Sequence, residues 1–183
     1  MNRIKVKNII AAVFDKPILD PLLDVLDKKS VRFWGTEGTT KYLKSKGFKT
    51  ESIVSGFDFD GRVKSLDRKN FVRILADRSN KEHLSQLRKL KLEPIDLAIV
   101  DLYASEAKNF PESMDVGGQA LIRAAVKNYK NVALAYDAKS MGDLANHLQA
   151  NGGTTLFAFR LKQAKSALKF VAKRSSFEAK YFK

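Results

Sequence analysis

Apolar residues along this chain fall into short continuous runs separated by stretches with helical spacing. Ile9 to Phe14 is an apolar run that reads as a buried strand. Pro17 to Leu26 then carries apolar residues at 18, 19, 22, 23, 25 and 26, which predicts a helix. Val31 to Trp34 is a second short strand, and the turn Gly35-Thr36-Glu37-Gly38-Thr39 opens a helix that ends near Gly47, a suitable C-cap. Lys49 to Val54 reads as a third strand, and Ser55 to Ser65 as a polar, glycine-containing loop. Asn70 to Lys91 predicts a short strand or turn followed by a charged helix. Leu97 to Val100 is the clearest buried strand, bounded by Pro94 and Asp101, and a loop follows from Ser105 to Asp115. Gly117 to Lys127 reads as a small-residue helix and Val132 to Ala135 as a last core strand. Met141 to Ala150 and Thr154 to Phe182 read as helical, split by Asn151-Gly152-Gly153. Strands alternating with helices predict an α/β fold with three layers, helices covering both faces of a mainly parallel sheet.

A length of 183 residues suits one domain, and a hydrophobic content of 44% argues against disorder. No run of about 18 apolar residues is present, so no transmembrane helix is expected. The basic start before the first apolar run is cut short at Asp15-Lys16-Pro17, which favours a first strand over a signal peptide. Cysteine is absent, which removes disulfides, thiol nucleophiles and Cys-type zinc sites, and His83 and His147 lack metal-ligand spacing. The net charge of +14 admits nucleic-acid binding, attraction of a phosphorylated small molecule, or simple solubility. Lys165, Lys169 and Lys173 recur every four residues opposite Leu161, Leu168 and Val171, the pattern of an amphipathic helix with a basic outer side. No nucleic-acid-binding motif accompanies that stripe, so a nucleic-acid partner is not expected.

Ligands of such sheets sit beyond the carboxyl ends of the strands, which directs attention to the loops there. Those loops hold Asp15-Lys16, the turn at 35–39, Gly61-Arg62-Val63-Lys64-Ser65, and Asp101-Leu102-Tyr103 with Met114-Asp115-Val116-Gly117-Gly118. The Gly/Thr turn could hold a phosphate on free N–H groups at its helix start, or be a plain connection. Arg62 and Lys64 alternate, so on an extended segment they point the same way. Asp115 suits either a helix cap or a general base tuned by nearby lysines. A helix over 117–127 spans roughly 15 Å, so Asp115 and Lys127 meet only if it is short, bent or wrapped around the pocket.

These segments give the chain a family resemblance. Gly-Arg-Val-Lys-Ser at 61–65, Pro-Ile-Asp-Leu-Ala-Ile-Val-Asp-Leu-Tyr at 94–103, and Met-Asp-Val-Gly-Gly with Leu-Ile-Arg-Ala-Ala-Val-Lys-Asn at 114–128 stand in order at matching spacing. With them the chain resembles the IMP cyclohydrolase domain, the amino-terminal half of the bifunctional purine-biosynthesis enzyme that also carries AICAR transformylase. The likeness runs from about Ile9 to Phe182, and residues 1–183 are expected to be one stand-alone domain without the transformylase. The resemblance implies a methylglyoxal-synthase-like fold and closure of FAICAR (5-formamidoimidazole-4-carboxamide ribonucleotide) to IMP with loss of water. It implies chemical roles for Asp115 as proton acceptor, Lys127 as proton donor, Lys64 as charge stabiliser and Tyr103 in orientation. It places Asp15, Lys16, Thr36, Glu37, Gly38, Thr39, Arg62, Ser65, Asp101, Val116, Gly117 and Gly118 around the nucleotide. FAICAR and IMP are then the partners, in the cytoplasm, with no metal and no organic cofactor required and a homodimer left open. Several positions depart from the family pattern. Phe14 stands for its Ser, Glu37 for the first glycine of its phosphate turn, Asp101 for Asn, Ala104 for Pro and Asp67 for His. Lys41 is expected to offset the added acids. A non-catalytic purine-nucleotide module and a methylglyoxal-synthase-like lyase are the alternative readings, the latter without that family's Asp and His motifs.

Overall fold

A computed structural model describes residues 2–54, 56, 62, 63 and 65–182. Five strands form one parallel sheet: β2 (Asn8–Val13), β3 (Arg32–Gly35), β4 (Lys49–Ser52), β5 (Leu97–Asp101) and β6 (Ala133–Ala135), in the order β4-β3-β2-β5-β6. β1 (Arg3–Lys5) and β7 (Thr154–Leu156) form a separate antiparallel ribbon. The helices are α1 (Asp20–Leu23), α2 (Glu37–Ser45), α3 (Arg68–Leu75), α4 (Lys81–Lys89), α5 (Val116–Lys127), α6 (Ala138–Ala150) and α7 (Phe157–Glu178).

Side chains alternate across each strand, which sorts the core into two layers. Ile9, Ala11 and Val13 with Leu97 and Ile99 pack under Leu22, Leu43 and Leu144, the side of α1, α2 and α6. Ile10 with Ala98 and Val100 packs under Ile74, Leu121 and Val171, the side of α3, α5 and α7. The expected α/β/α arrangement is therefore present, with both sheet faces buried. From β2 the chain winds outward through β3 to β4, then crosses to β5 and winds the other way. The crevice at this reversal opens between the ends of β2 and β5, where Val13 pairs with Asp101.

Three expectations change. The segment 70–91 holds two helices and no strand. Asp67 caps α3 through the Lys69 N–H, and Asn80 caps α4 through the N–H groups of Glu82 and His83. Thr154–Leu156 is extended rather than helical. Gly152 and Gly153 take φ of 57° and 74°, which ends α6, and the β-branched threonines then pair with β1. The fully buried Arg160 fastens this turn, donating to the carbonyl oxygens of Thr155, Tyr129 and Lys130. Pro17 to Leu26 is a 3-10 turn over Lys16–Leu19 followed by the single turn of α1. Among the described residues no helix is long and apolar enough to cross a membrane.

Candidate active site

A cavity of about 1110 Å³ lies at the reversal point of the sheet. Lys16, Thr36, Glu37, Gly38, Arg62, Ser65, Asp101, Tyr103, Asp115, Val116, Gly117 and Gly118 all line it. Four separate loops thus converge, each leaving the carboxyl end of a strand.

Asp115 closes the cavity on one side. It is the N-cap of α5, and its Oδ1 accepts the Gly118 N–H at 2.7 Å. The backbone comes close to it because residues 117 and 118 have no side chains. A Cβ at Gly117 would meet Ser65 Oγ at 2.2 Å, and one at Gly118 would meet the Asp115 carboxylate oxygens at 2.7 and 2.8 Å. Burial raises the Asp115 pKa above the usual carboxylate value, while the Gly118 N–H, the Arg174 charge and the Tyr103 N–H pull it down. Among the described residues, burial opposed by an arginine of α7 thus shapes the Asp115 carboxyl. Sequence reasoning missed Arg174. It donates from Nη2 to the Tyr103 carbonyl at 2.7 Å and pairs through Nε with the buried Glu178 at 2.8 Å, and Glu178 also accepts from Gln119 of α5. Its one local signal is the Arg174/Glu178 spacing of four residues, around the only acid between Arg160 and the carboxyl end.

Tyr103 donates its hydroxyl to the Met114 carbonyl at 2.9 Å. Burial and the neighbouring Asp115 charge raise its pKa, so it stays a neutral donor. Asp101, at the end of β5, accepts the Asp15 N–H at 2.9 Å, and burial raises its pKa as well.

On the opposite side α2 begins at Thr36, whose side chain caps none of its N–H groups, leaving the first turn at Glu37 and Gly38 able to receive an anion. Lys16 stands beside it: its Cε lies 3.3 Å from where a Cβ at Gly38 would be, and its Nζ donates to the Phe14 carbonyl at 2.7 Å. The Glu37 carboxylate is 81% exposed and pairs with Lys41 at 3.0 Å, the partner expected to offset it. Arg62 pairs with Glu112.

Some expected residues stand elsewhere. Thr39 is fully buried, with Oγ1 bonded to the N–H and carbonyl of Val13 at 3.2 and 3.3 Å, so it ties α2 to β2 and does not face the cavity. Asp15 does not line the cavity and is tied to it by its N–H to Asp101. Lys127 is exposed in the last turn of α5 and does not line the cavity. The 12 residues of α5 span about 18 Å, so one chain does not bring Lys127 to Asp115. Lys64 lies outside the described residues. Among the described residues no group of three or more His, Asp or Glu is placed to hold a metal ion.

No protein-family model matches the chain. The bifunctional purine biosynthesis protein PurH of Rhizobium leguminosarum bv. trifolii is 33% identical over 178 residues, covering 91% of this chain and 33% of its own. PurH of Rhizobium rhizogenes is 33% identical over 193 residues, covering 99% and 36%. PurH of Clostridium botulinum is 36% identical over 158 residues, covering 80% and 32%. The chain spans about a third of the length of the curated relatives it matches. The crystal structure of ForH superposes with a TM-score of 0.79 at 26% identity, covering 96% of each chain, and carries the same methylglyoxal-synthase-like fold. By sequence and by fold, this chain is a homologue of the IMP cyclohydrolase region of the PurH proteins.

Proposed function

We propose that the chain is an IMP cyclohydrolase, which closes FAICAR to IMP and releases water. The observation that carries the reading is the Asp115 carboxyl: half-buried, raised in pKa, and set in a large cavity whose far side is an open helix start beside Lys16. One end of the cavity suits a phosphate and the other suits proton exchange on a neutral group.

In this reading the carboxamide nitrogen attacks the formyl carbon, and Asp115 accepts the proton that nitrogen loses. The formyl oxygen becomes a hydroxyl as it takes up a proton. It then leaves as water while the former formamide nitrogen gives up its own proton and a C=N bond forms. One of the two carboxamide protons and the formamide N–H proton end in the departing water, while the second carboxamide proton stays on the new ring nitrogen, so one carboxyl can take and return the two mobile protons in turn. Asp115 fills both parts here, because Lys127 stands at the far end of α5. Tyr103, a neutral donor next to Met114, orients the reacting group. Lys64, whose neighbours Arg62 and Ser65 line the cavity, is assigned the developing negative charge, with the N–H groups at the start of α5. Lys16, Thr36, Gly38 and Arg62 hold the ribose phosphate. Two reacting groups sit on one small ring, so holding it flat supplies much of the acceleration.

The test is conversion of FAICAR by the purified chain against a protein-free control. Catalysed IMP formation that falls by about 10²–10⁴ in Asp115→Asn is expected. A chain that binds IMP and leaves FAICAR unconverted would instead be a purine-nucleotide-binding module.

A further inference from the structure

The ring closure above makes no use of Phe14, which is 64% exposed on the wall of the cavity. A large apolar side chain left in water at a concave site is the surface a ligand covers. Its backbone is held on both sides. Asp101 accepts the N–H of the next residue, Asp15, at 2.9 Å, and the Phe14 carbonyl accepts from Lys16 Nζ at 2.7 Å. The ring therefore stands out from an anchored segment, between the two corners of the site. Lys16 Nζ, beside the start of α2, lies 5.8 Å from its centroid. The Tyr103 ring lies 6.2 Å away at 56°, and its hydroxyl leads to Met114, next to Asp115. A nucleotide with its phosphate at α2 and its reacting groups at Asp115 must lay its middle across Phe14. Val116, 57% exposed, adds a second apolar surface to the same cavity.

We infer that Phe14 is a specificity-determining residue that stacks on the planar heterocycle of the bound nucleotide, an assignment that rests on the nucleotide reading above. Phe14 then recognises the base and leaves the sugar phosphate to Lys16 and α2. Truncating it must weaken ligands that carry a ring and spare those that do not.

Calorimetric titration of the wild-type chain, Phe14→Ala and Phe14→Trp with IMP and with ribose 5-phosphate tests this. Phe14→Ala is expected to bind IMP roughly 10-fold or more weakly, with ribose 5-phosphate changed by less than about 2-fold. Phe14→Trp is expected to keep IMP affinity and to show indole quenching with IMP and none with ribose 5-phosphate. Equal losses for both ligands in Phe14→Ala, or no loss for either, would overturn the stacking role alone. A wild-type chain that binds no purine nucleotide would overturn the nucleotide reading and the stacking role together.

Discussion

Two glycine-to-alanine substitutions should act in opposite directions, because their surroundings differ. In α6, Gly142 has nothing within 4 Å of the position a Cβ would take. Alanine there adds helix propensity at no steric cost, about 0.5–1 kcal/mol of stability. Gly118, in the first turn of α5, is confined. A Cβ there would lie 2.4 Å from Leu102 Cδ2 and 2.7 and 2.8 Å from the Asp115 oxygens, where ordinary contact starts at 3.4 Å. Leu102 can turn its methyl aside, but the carboxylate must retreat by about 0.6–0.7 Å, and its 2.7 Å bond to the Gly118 N–H is lost with it. Lost capping is worth about 1 kcal/mol and overpacking about 1–3, against a propensity gain of about 1, so a net loss of about 1–3 kcal/mol is expected. At roughly 2–4 °C per kcal/mol for a chain of this size, Tm should fall by about 2–12 °C in Gly118→Ala and rise by about 1–4 °C in Gly142→Ala. Displacing a catalytic group by a large fraction of an ångström costs on the order of 100-fold in rate, so kcat for FAICAR closure should drop by about that much in Gly118→Ala alone. Thermal unfolding and initial rates on the same preparations supply both numbers. If Gly118→Ala gains stability as Gly142→Ala does and keeps kcat within about 3-fold, the close packing of Asp115 on the start of α5 is refuted.

Other predictions follow from the titrating groups. An acid whose folded pKa is raised costs stability above that pKa, so Asp115→Asn, which keeps the cap on the Gly118 N–H, should be at least as stable as wild type at pH 7 while losing activity; a drop above about 1 kcal/mol in urea unfolding would refute this. Removing the Arg174–Glu178 pair together as Arg174→Gln/Glu178→Gln avoids leaving a buried charge alone. Arg174 acts on Asp115 more strongly than Glu178 does, so the acid limb of the pH–rate profile should move to higher pH, and an unmoved limb would show that Arg174 does not tune Asp115. His147 stacks on Phe159 at 4.0 Å and accepts the Leu156 N–H at 3.2 Å, and burial lowers its pKa. Its contribution is therefore complete above about pH 6.5 and is lost as pH falls through its depressed folded value, so the stability advantage of wild type over His147→Gln should shrink between pH 7 and 5; an advantage constant with pH would refute it.

Local pattern was enough for the frame of this protein. The runs Ile9 to Phe14 and Leu97 to Val100 are strands because continuous apolar residues are stable only where both faces of a sheet are covered, and each carries its own signal of length and boundary. The loops at the carboxyl ends of those strands follow from the same reading, and so does the convergence of Lys16, Thr36, Arg62, Tyr103 and Asp115 on one cavity. Pattern was weakest where two answers were locally equal. The threonines after Gly153 could extend or coil, and pairing with Arg3–Lys5, about 150 residues away, decided it. Thr39 carries the same hydroxyl as a phosphate ligand would, yet its contact with Val13 buries it. Packing alone sets the place of Lys127 outside the cavity, the seating of Arg174 under Tyr103, and the burial that raises the Asp115 pKa. Distance, burial and charge felt through packing are properties of residues far apart in the chain. Which residues could do chemistry was legible along the chain, and the packed helices decided which of them share a site.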